Sequence, residues 1–417
     1  MQEPNFRLTK LACYISYIVQ AISVNIASLF FVIFREDYGL SFTDLGFLVL
    51  FTFLVQLAID IISIKVIAVL GYKKSAIIAN IFACAGIIML SILPGLMPPL
   101  WALLISVFFY SLGGGLIEVV INPIIEAIPS DSLGASFSLL HSFYSWGQSA
   151  VILITTLLLF VVGNNNWNSL PLIWAIVPFI NIFLFIKAPV PEIEGDGSSG
   201  NYKNLIKNPM FIVFLLLMLC GGSTEMVISQ WASYFAEKGL GVTKVIGDLL
   251  GPCIFALMMA LGRTVYGIFG KKLPIFKALI FCSLLGVVAY IGIGFIPNPL
   301  LVMVCFALAG IASSLLWPGT LSASAQAIPR GGTVMFALLA FAGDAGCSLG
   351  PWINGLINDY VTSNDSAQIM TKLGFSVEQA SLRSAILISA IFPAIMFVTL
   401  IIVASVMKKK TPENTNS

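Results

Sequence analysis

The sequence predicts an all-α membrane protein: twelve transmembrane helices arranged as two pseudo-symmetric six-helix bundles. Three observations carry this. Of 417 residues, 59% are hydrophobic and 10% are charged, where a soluble domain would have about 25% charged residues. Apolar runs long enough to cross a bilayer, about 20 residues each, recur twelve times. The second half also repeats the first. Ala127-Ile-Pro129 precedes Phe137-Ser-Leu-Leu140 and Gly147, and Ala327-Ile-Pro329 precedes Phe336-Ala-Leu-Leu339 and Gly346, an offset of 199 to 200 residues. A parallel repeat of this kind divides the chain into two six-helix units.

The runs lie at about 9–34, 43–70, 74–93, 98–128, 133–162, 168–187, 209–236, 244–269, 273–296, 299–327, 332–357 and 382–407. Gly, Pro and Asn mark the connections, as in Pro94-Gly95, Asn164-Asn165-Asn166 and Pro297-Asn298-Pro299. The polar stretch 188–208, with Glu192 to Gly200 reading as a flexible linker, divides a bundle over 1–187 from one over 209–407. Residues 408–417 form a tail, and 359–381 is long enough to hold a short helix. With the N-terminus inside, 16 of the 21 Lys and Arg fall on the cytoplasmic side and five (Arg35, Lys238, Lys244, Lys372, Arg383) on the other. Both termini are then cytoplasmic, in a multi-pass protein of the plasma membrane (the inner membrane of a bacterial cell). The polar start, Met1 to Lys10, leads into a span without a cleavage site, so no removable signal peptide is read.

Composition also excludes. The net charge of +2 gives no nucleic-acid signal. The seven cysteines sit in apolar runs without metal-ligand spacing and read as small core residues. No P-loop pattern occurs, and one histidine without a supporting motif makes no nucleophile triad. The expectation is neither an enzyme nor a cofactor protein, but a monomer whose partners are the bilayer, a small solute and a coupling ion, H⁺ or Na⁺.

The informative residues are the polar ones inside the spans. A carboxylate at bilayer depth costs roughly 3 kcal/mol on insertion scales and so faces the protein interior or a wet cavity. Glu118, Asn122 and Glu126 share one face of the fourth span at i, i+4 and i+8. Gly113, Gly114 and Gly115 upstream let another helix approach closely, and Pro123 favours a kink. Glu118 and Asn122 are the first candidates for solute binding, and Glu118 for carrying a proton. Glu126 reads as a solvated or gate-region charge. His141, Ser145 and Gln148 form one polar face of the fifth span. Glu225, with Gln230 and Trp231 beyond it, suits a sugar: the acid accepts from hydroxyls and the ring stacks on a C–H face. Asp344 is an acid among small residues in the eleventh span. Gln20 and Asn25 are candidate contacts in the first. Asp60, paired with Gln56 at i, i+4, and Arg263, near the end of its span, read as gate residues. Glu118, Glu225 and Asp344 are the candidate proton-coupling groups. Each polar residue also has a plain alternative as a hydrogen-bonded packing contact.

Taken together, the twelve spans, the division and the repeat resemble the major facilitator superfamily. Its between-span signature is half present: Gly71 and the basic pair Lys73-Lys74 follow the second span, with Ala68 where an Asp is usual. Gly262-Arg263 and Gly270-Lys271-Lys272 look like the second copy. More narrowly, Gly115-Leu-Ile-Glu118 through Asn122-Pro123, Leu140-His141 through Gly147, Gly221 through Glu225 and Trp231, Trp317-Pro318, and Gly343-Asp-Ala-Gly346 resemble the fucose, glucose and galactose permease branch. There the fourth-span Glu is implicated in sugar binding or proton coupling. The first span has Gln20 and Asn25 where the proton-linked fucose permease has an Asp. The resemblance implies alternating-access transport of a monosaccharide by proton symport. A proton-coupled exporter of drugs or metabolites on the same fold, which would have an aromatic and Met-lined site, is the alternative; a non-transporting membrane receptor is another.

Overall fold

The computed structural model describes residues 6–128, 133–191, 205–269, 274–328, 332–363 and 368–410. Eleven helices among them are long and apolar enough to cross a membrane, and a 32-residue helix over Gly332–Ser363 completes the expected twelve. In chain order these are α1 (Arg7–Tyr38), α2 (residues 42–70), α3 (residues 72–92), α4 (Pro99–Glu126), α5 (Leu133–Val162) and α6 (Ser169–Lys187). There follow α7 (Pro209–Gly239), α8 (Lys244–Tyr266), α9 (Ile275–Phe295), α10 (Pro299–Ala327), α11 (Gly332–Ser363) and α12 (Val377–Ser405). α2 and α3 form one helical run broken only at Gly71, whose φ of 75° a side chain would resist. The 359–381 segment holds a short helix, Gln368–Lys372. α12 starts earlier than hydropathy places it, because Ser376 and Gln379 make a reciprocal capping box. α4 runs through Pro123 to Glu126 as continuous helix. Most of the linker, and the Glu126 side chain, lie outside the described residues.

Small residues set the closest approaches, as expected where lipid is as apolar as the helices themselves. A Cβ on Gly113 would lie 2.5 Å from the Ala83 amide, which fixes α4 against α3, and one on Gly115 would lie 3.0 Å from Gln56 Cα on α2. The tightest contact joins α11 to α7: a Cβ on Gly346 would stand 2.0 Å from the Leu219 carbonyl oxygen. Gly346→Ala is therefore expected to force α7 and α11 apart and destabilise the fold by about 1–3 kcal/mol, read as a lower melting temperature in detergent. An unchanged melting curve would mean the helices separate without cost.

The two halves are joined at one end of the bundle. There Asp359 of α11 accepts from the Phe42 and Thr43 amides, 3.2 and 2.6 Å, at the start of α2. Thr156 of α5 donates to the buried Asp248 of α8, 2.8 Å. Lys238 pairs with Glu36. We call this the tied end. At the opposite end Thr9 and Lys73 donate to the Pro189 and Ala188 carbonyls, 2.7 and 2.9 Å, and both bonds stay within the first half. All seven cysteines are free and buried.

Candidate functional site

A cavity of about 440 Å³ lies between the halves, and its wall comes from both. The first half contributes Tyr17, Gln20 and Val24 of α1, Phe53 and Gln56 of α2, Glu118 of α4, and His141 and Tyr144 of α5. The second contributes Glu225 and Met226 of α7, Arg263 of α8, Trp317, Pro318, Leu321 and Ser322 of α10, and Asp344 and Cys347 of α11. His141 and Ser322 are exposed, so the cavity opens toward the end of the bundle that is not tied.

Helical spacing puts these groups on the wall. On α1 the turn-by-turn positions 17, 20 and 24 face inward, and on α5 positions 141 and 144 do. Gln20 Nε2 donates to Glu118 Oε2 at 2.6 Å, so a first-span amide holds the fourth-span acid. Behind Glu118, Asn122 spends its amide on the Glu118 carbonyl, 3.1 Å, and accepts from the Tyr17 hydroxyl, 2.8 Å. Tyr17 also sets its ring edge-on to His141, centroids 5.1 Å apart. Across the cavity Arg263 Nη2 lies 3.2 Å from Glu225 Oε2. The same guanidinium donates to Ser145 Oγ, 3.2 Å, and to the Ser314 carbonyl, 3.3 Å, so it reaches from the second half to the first. A partly buried ion pair with these additional partners is geometrically fixed.

Of the residues singled out in the sequence, Gln20, Glu118, His141, Glu225 and Asp344 meet in this cavity. Arg263 joins them: expected near the end of its span, it has its charge turned into the cavity instead. Asp60 stays half-buried outside the wall, one turn beyond Gln56 on α2. Asn122 also stands behind the wall. Asn25, Gln148 and Gln230, expected at the solute, lie above the cavity on the tied side. Gln148 Nε2 donates to Asn25 Oδ1, 3.1 Å, and to Ser229 Oγ, 2.9 Å, and Gln230 Nε2 approaches the Val24 carbonyl, 3.4 Å. The bonds to Ser229 and from Gln230 cross between halves, and the group roofs the cavity.

Trp231 needs the clearest correction. It does not stand beside Glu225 at the cavity. Its indole N–H donates to the Pro351 carbonyl, 3.0 Å, and its ring packs on Phe31 and Phe42 at the tied end. Six residues along a helix amount to about 9 Å of rise and a turn of about 120° away from the starting face, so the two side chains cannot share a surface. The aromatic rings at the cavity are Tyr17, Phe53, Tyr144 and Trp317. Their signal was face membership: Tyr17 lies three residues before Gln20, Tyr144 three after His141 and Phe53 three before Gln56.

Comparison with known proteins decides the family. The Major Facilitator Superfamily profile matches residues 13–351. The chain belongs to the Major Facilitator Superfamily. Among similar proteins, the membrane protein MosC of Rhizobium meliloti is 23% identical over 319 residues, 75% of this chain and 74% of that one. Among solved structures, a bacterial homologue of the human lysosomal transporter Spinster, captured inward-facing and occupied, superposes with a TM-score of 0.74 at 16% identity, over 95% of this chain and 96% of that one. The fucose:proton symporter of E. coli gives 0.63 at 14% identity, over 95% and 98%. The superfamily protein is thus a multi-pass membrane transporter and not an enzyme.

Proposed function

We propose that this superfamily member is a secondary active transporter that imports a small polar solute, a monosaccharide, by proton symport. It acts as a monomer in the plasma membrane. The observation that carries the reading is the cavity itself, walled by both halves and roofed by bonds that cross between them. Such a site is exposed to one side at a time when the halves rock. The cavity carries hydrogen-bonding groups suited to hydroxyls, in Gln20, Gln56, Glu118, His141 and Glu225, beside rings that suit a sugar's C–H face. That mixture favours a sugar over the drug-exporter alternative, although Met226 and four aromatic side chains also line the wall. The Glu118 motif and the resemblance to the fucose, glucose and galactose permeases support the same choice.

Positive charge supports the sidedness. With Arg263 set aside, most Lys and Arg still fall on the open side. The open end and both termini are then cytoplasmic, the tied end is external, and the conformation is inward-facing. The halves rock about a boundary in the 188–208 linker, as units 1–187 and 209–407. Glu118 carries the proton, with Glu225 and Asp344 as the next carriers. Residues 408–417 form a cytoplasmic tail.

The direct test is a thermal-shift screen of the purified protein against monosaccharides, at two pH values and with or without sodium. Stabilisation grows with ligand concentration over Kd, about 2.7 kcal/mol at 100 times Kd. A sugar that stabilises only at the pH favouring protonation supports proton symport. Sodium-dependent stabilisation replaces the ion, and silence from every sugar alongside flux of another solute replaces the substrate.

The tied end gives a second test. Asp359→Ala removes the acceptor shared by two amides at the α2 N-terminus, worth about 1–2 kcal/mol. The open-outward population is expected to rise about 5–30-fold, read as faster labelling of Val24→Cys by an impermeant maleimide from the tied side. An unchanged labelling rate would remove Asp359 from the gate.

A further inference from the structure

The charges in the cavity narrow the cargo further, in an inference that rests on the transport reading above and refines its substrate. The wall carries three carboxylates and one guanidinium. Arg263 is engaged by Glu225, Ser145 and Ser314. Glu118 accepts from the Gln20 amide, a neutral donor. Asp344 has no hydrogen-bond or ion-pair partner among the described residues, although it is only 9% exposed and lines the cavity.

A carboxylate that lines the cavity without a protein donor is an incomplete arrangement, because only the contents of the cavity can satisfy it. Neutral hydroxyls could donate to it but would leave its charge uncompensated. An ammonium group supplies three donors and the missing positive charge at once. The rings of Tyr17, Tyr144 and Trp317, on the same cavity wall, add an attraction for cations that neutral sugars do not feel.

We propose that the solute carries a protonated amine: an amine-bearing sugar or polyol whose ammonium sits at Asp344 while its hydroxyl frame meets Gln20, Glu118 and the aromatic wall. The two acids then divide the work. Asp344 on the second half holds the cationic group, and Glu118 on the first is left to carry the proton.

The test compares matched ligands on the purified full-length protein: glucose, glucosamine and N-acetylglucosamine, and the same three forms of galactose. The amines are expected to stabilise the protein with apparent affinity at least about tenfold above their neutral parents, and N-acetylation, which removes the charge, is expected to abolish the gain. Asp344→Asn should erase the preference and leave weak binding of the neutral parents, whereas Asp344→Glu should keep it. Neutral sugars that bind as well as the amines, or a preference that survives Asp344→Asn, would overturn the amine inference and leave sugar transport standing. Silence from all six would overturn both. The N-acetyl comparison needs no variant, so it decides the matter even if Asp344→Asn does not fold.

Discussion

Glu118→Gln is expected to collapse accumulation of a neutral sugar in energised vesicles to a ratio of about one. A membrane potential of roughly 100 mV is worth about 2.3 kcal/mol per charge moved, which supports about 50-fold accumulation when one proton accompanies each neutral solute. Glutamine keeps the size of the side chain, and its amide oxygen can still accept from Gln20, now 2.6 Å from the Glu118 carboxylate. It cannot take up and release a proton. The variant should therefore fold, reach the membrane and equilibrate solute down its gradient, while substrate-induced alkalinisation of the medium disappears. Full accumulation with the alkalinisation intact would remove Glu118 from coupling and pass the role to Glu225 or Asp344.

Arg263→Met is expected to be the most destabilising single change at the cavity. It leaves Glu225, whose side chain is 9% exposed, without its cation, and removes the donor to Ser145 and Ser314. Stranding one partner of a buried ion pair typically costs 3–5 kcal/mol. The Arg263 side chain is 26% exposed to the cavity, so the lower end, about 3 kcal/mol, is the expectation. Glu225→Gln in the same chain should recover much of it, because the stranded charge is gone. The measurement is a double-mutant cycle on melting temperature. Additive losses would mean that the two residues do not act as a pair.

How far the site could be read in advance is clearest on α7 and α5. Glu225 could be assigned to an interior cavity because a carboxylate in an apolar run has nowhere else to go. Trp231 carried no such constraint: an indole is at home in a core, at an interface or against a ligand, and only packing against Phe31 and Phe42 decided among these. His141 and Gln148 lie on one helical face, as their spacing says. The face is longer than the cavity, so its lower end meets the solute space and its upper end meets Asn25 and Ser229.

The sequence alone determined that this is a multi-span membrane protein with a repeat between its halves, and that a set of polar groups, with Gln20, Glu118, His141, Glu225 and Asp344 among a longer list, is unusual for its apolar spans. Both follow from local quantities: apolar run length against bilayer thickness, and the cost of a polar group in hydrocarbon. Tertiary structure alone decided which end is tied, that Asn25, Gln148 and Gln230 roof the cavity, that Arg263 turns inward to Glu225, and that Asp344 has no hydrogen-bond or ion-pair partner among the described residues. A helix's sequence fixes the relative angles of its own side chains. Their depth against a neighbour, and the side chain they meet there, depend on helices more than a hundred residues away in the chain.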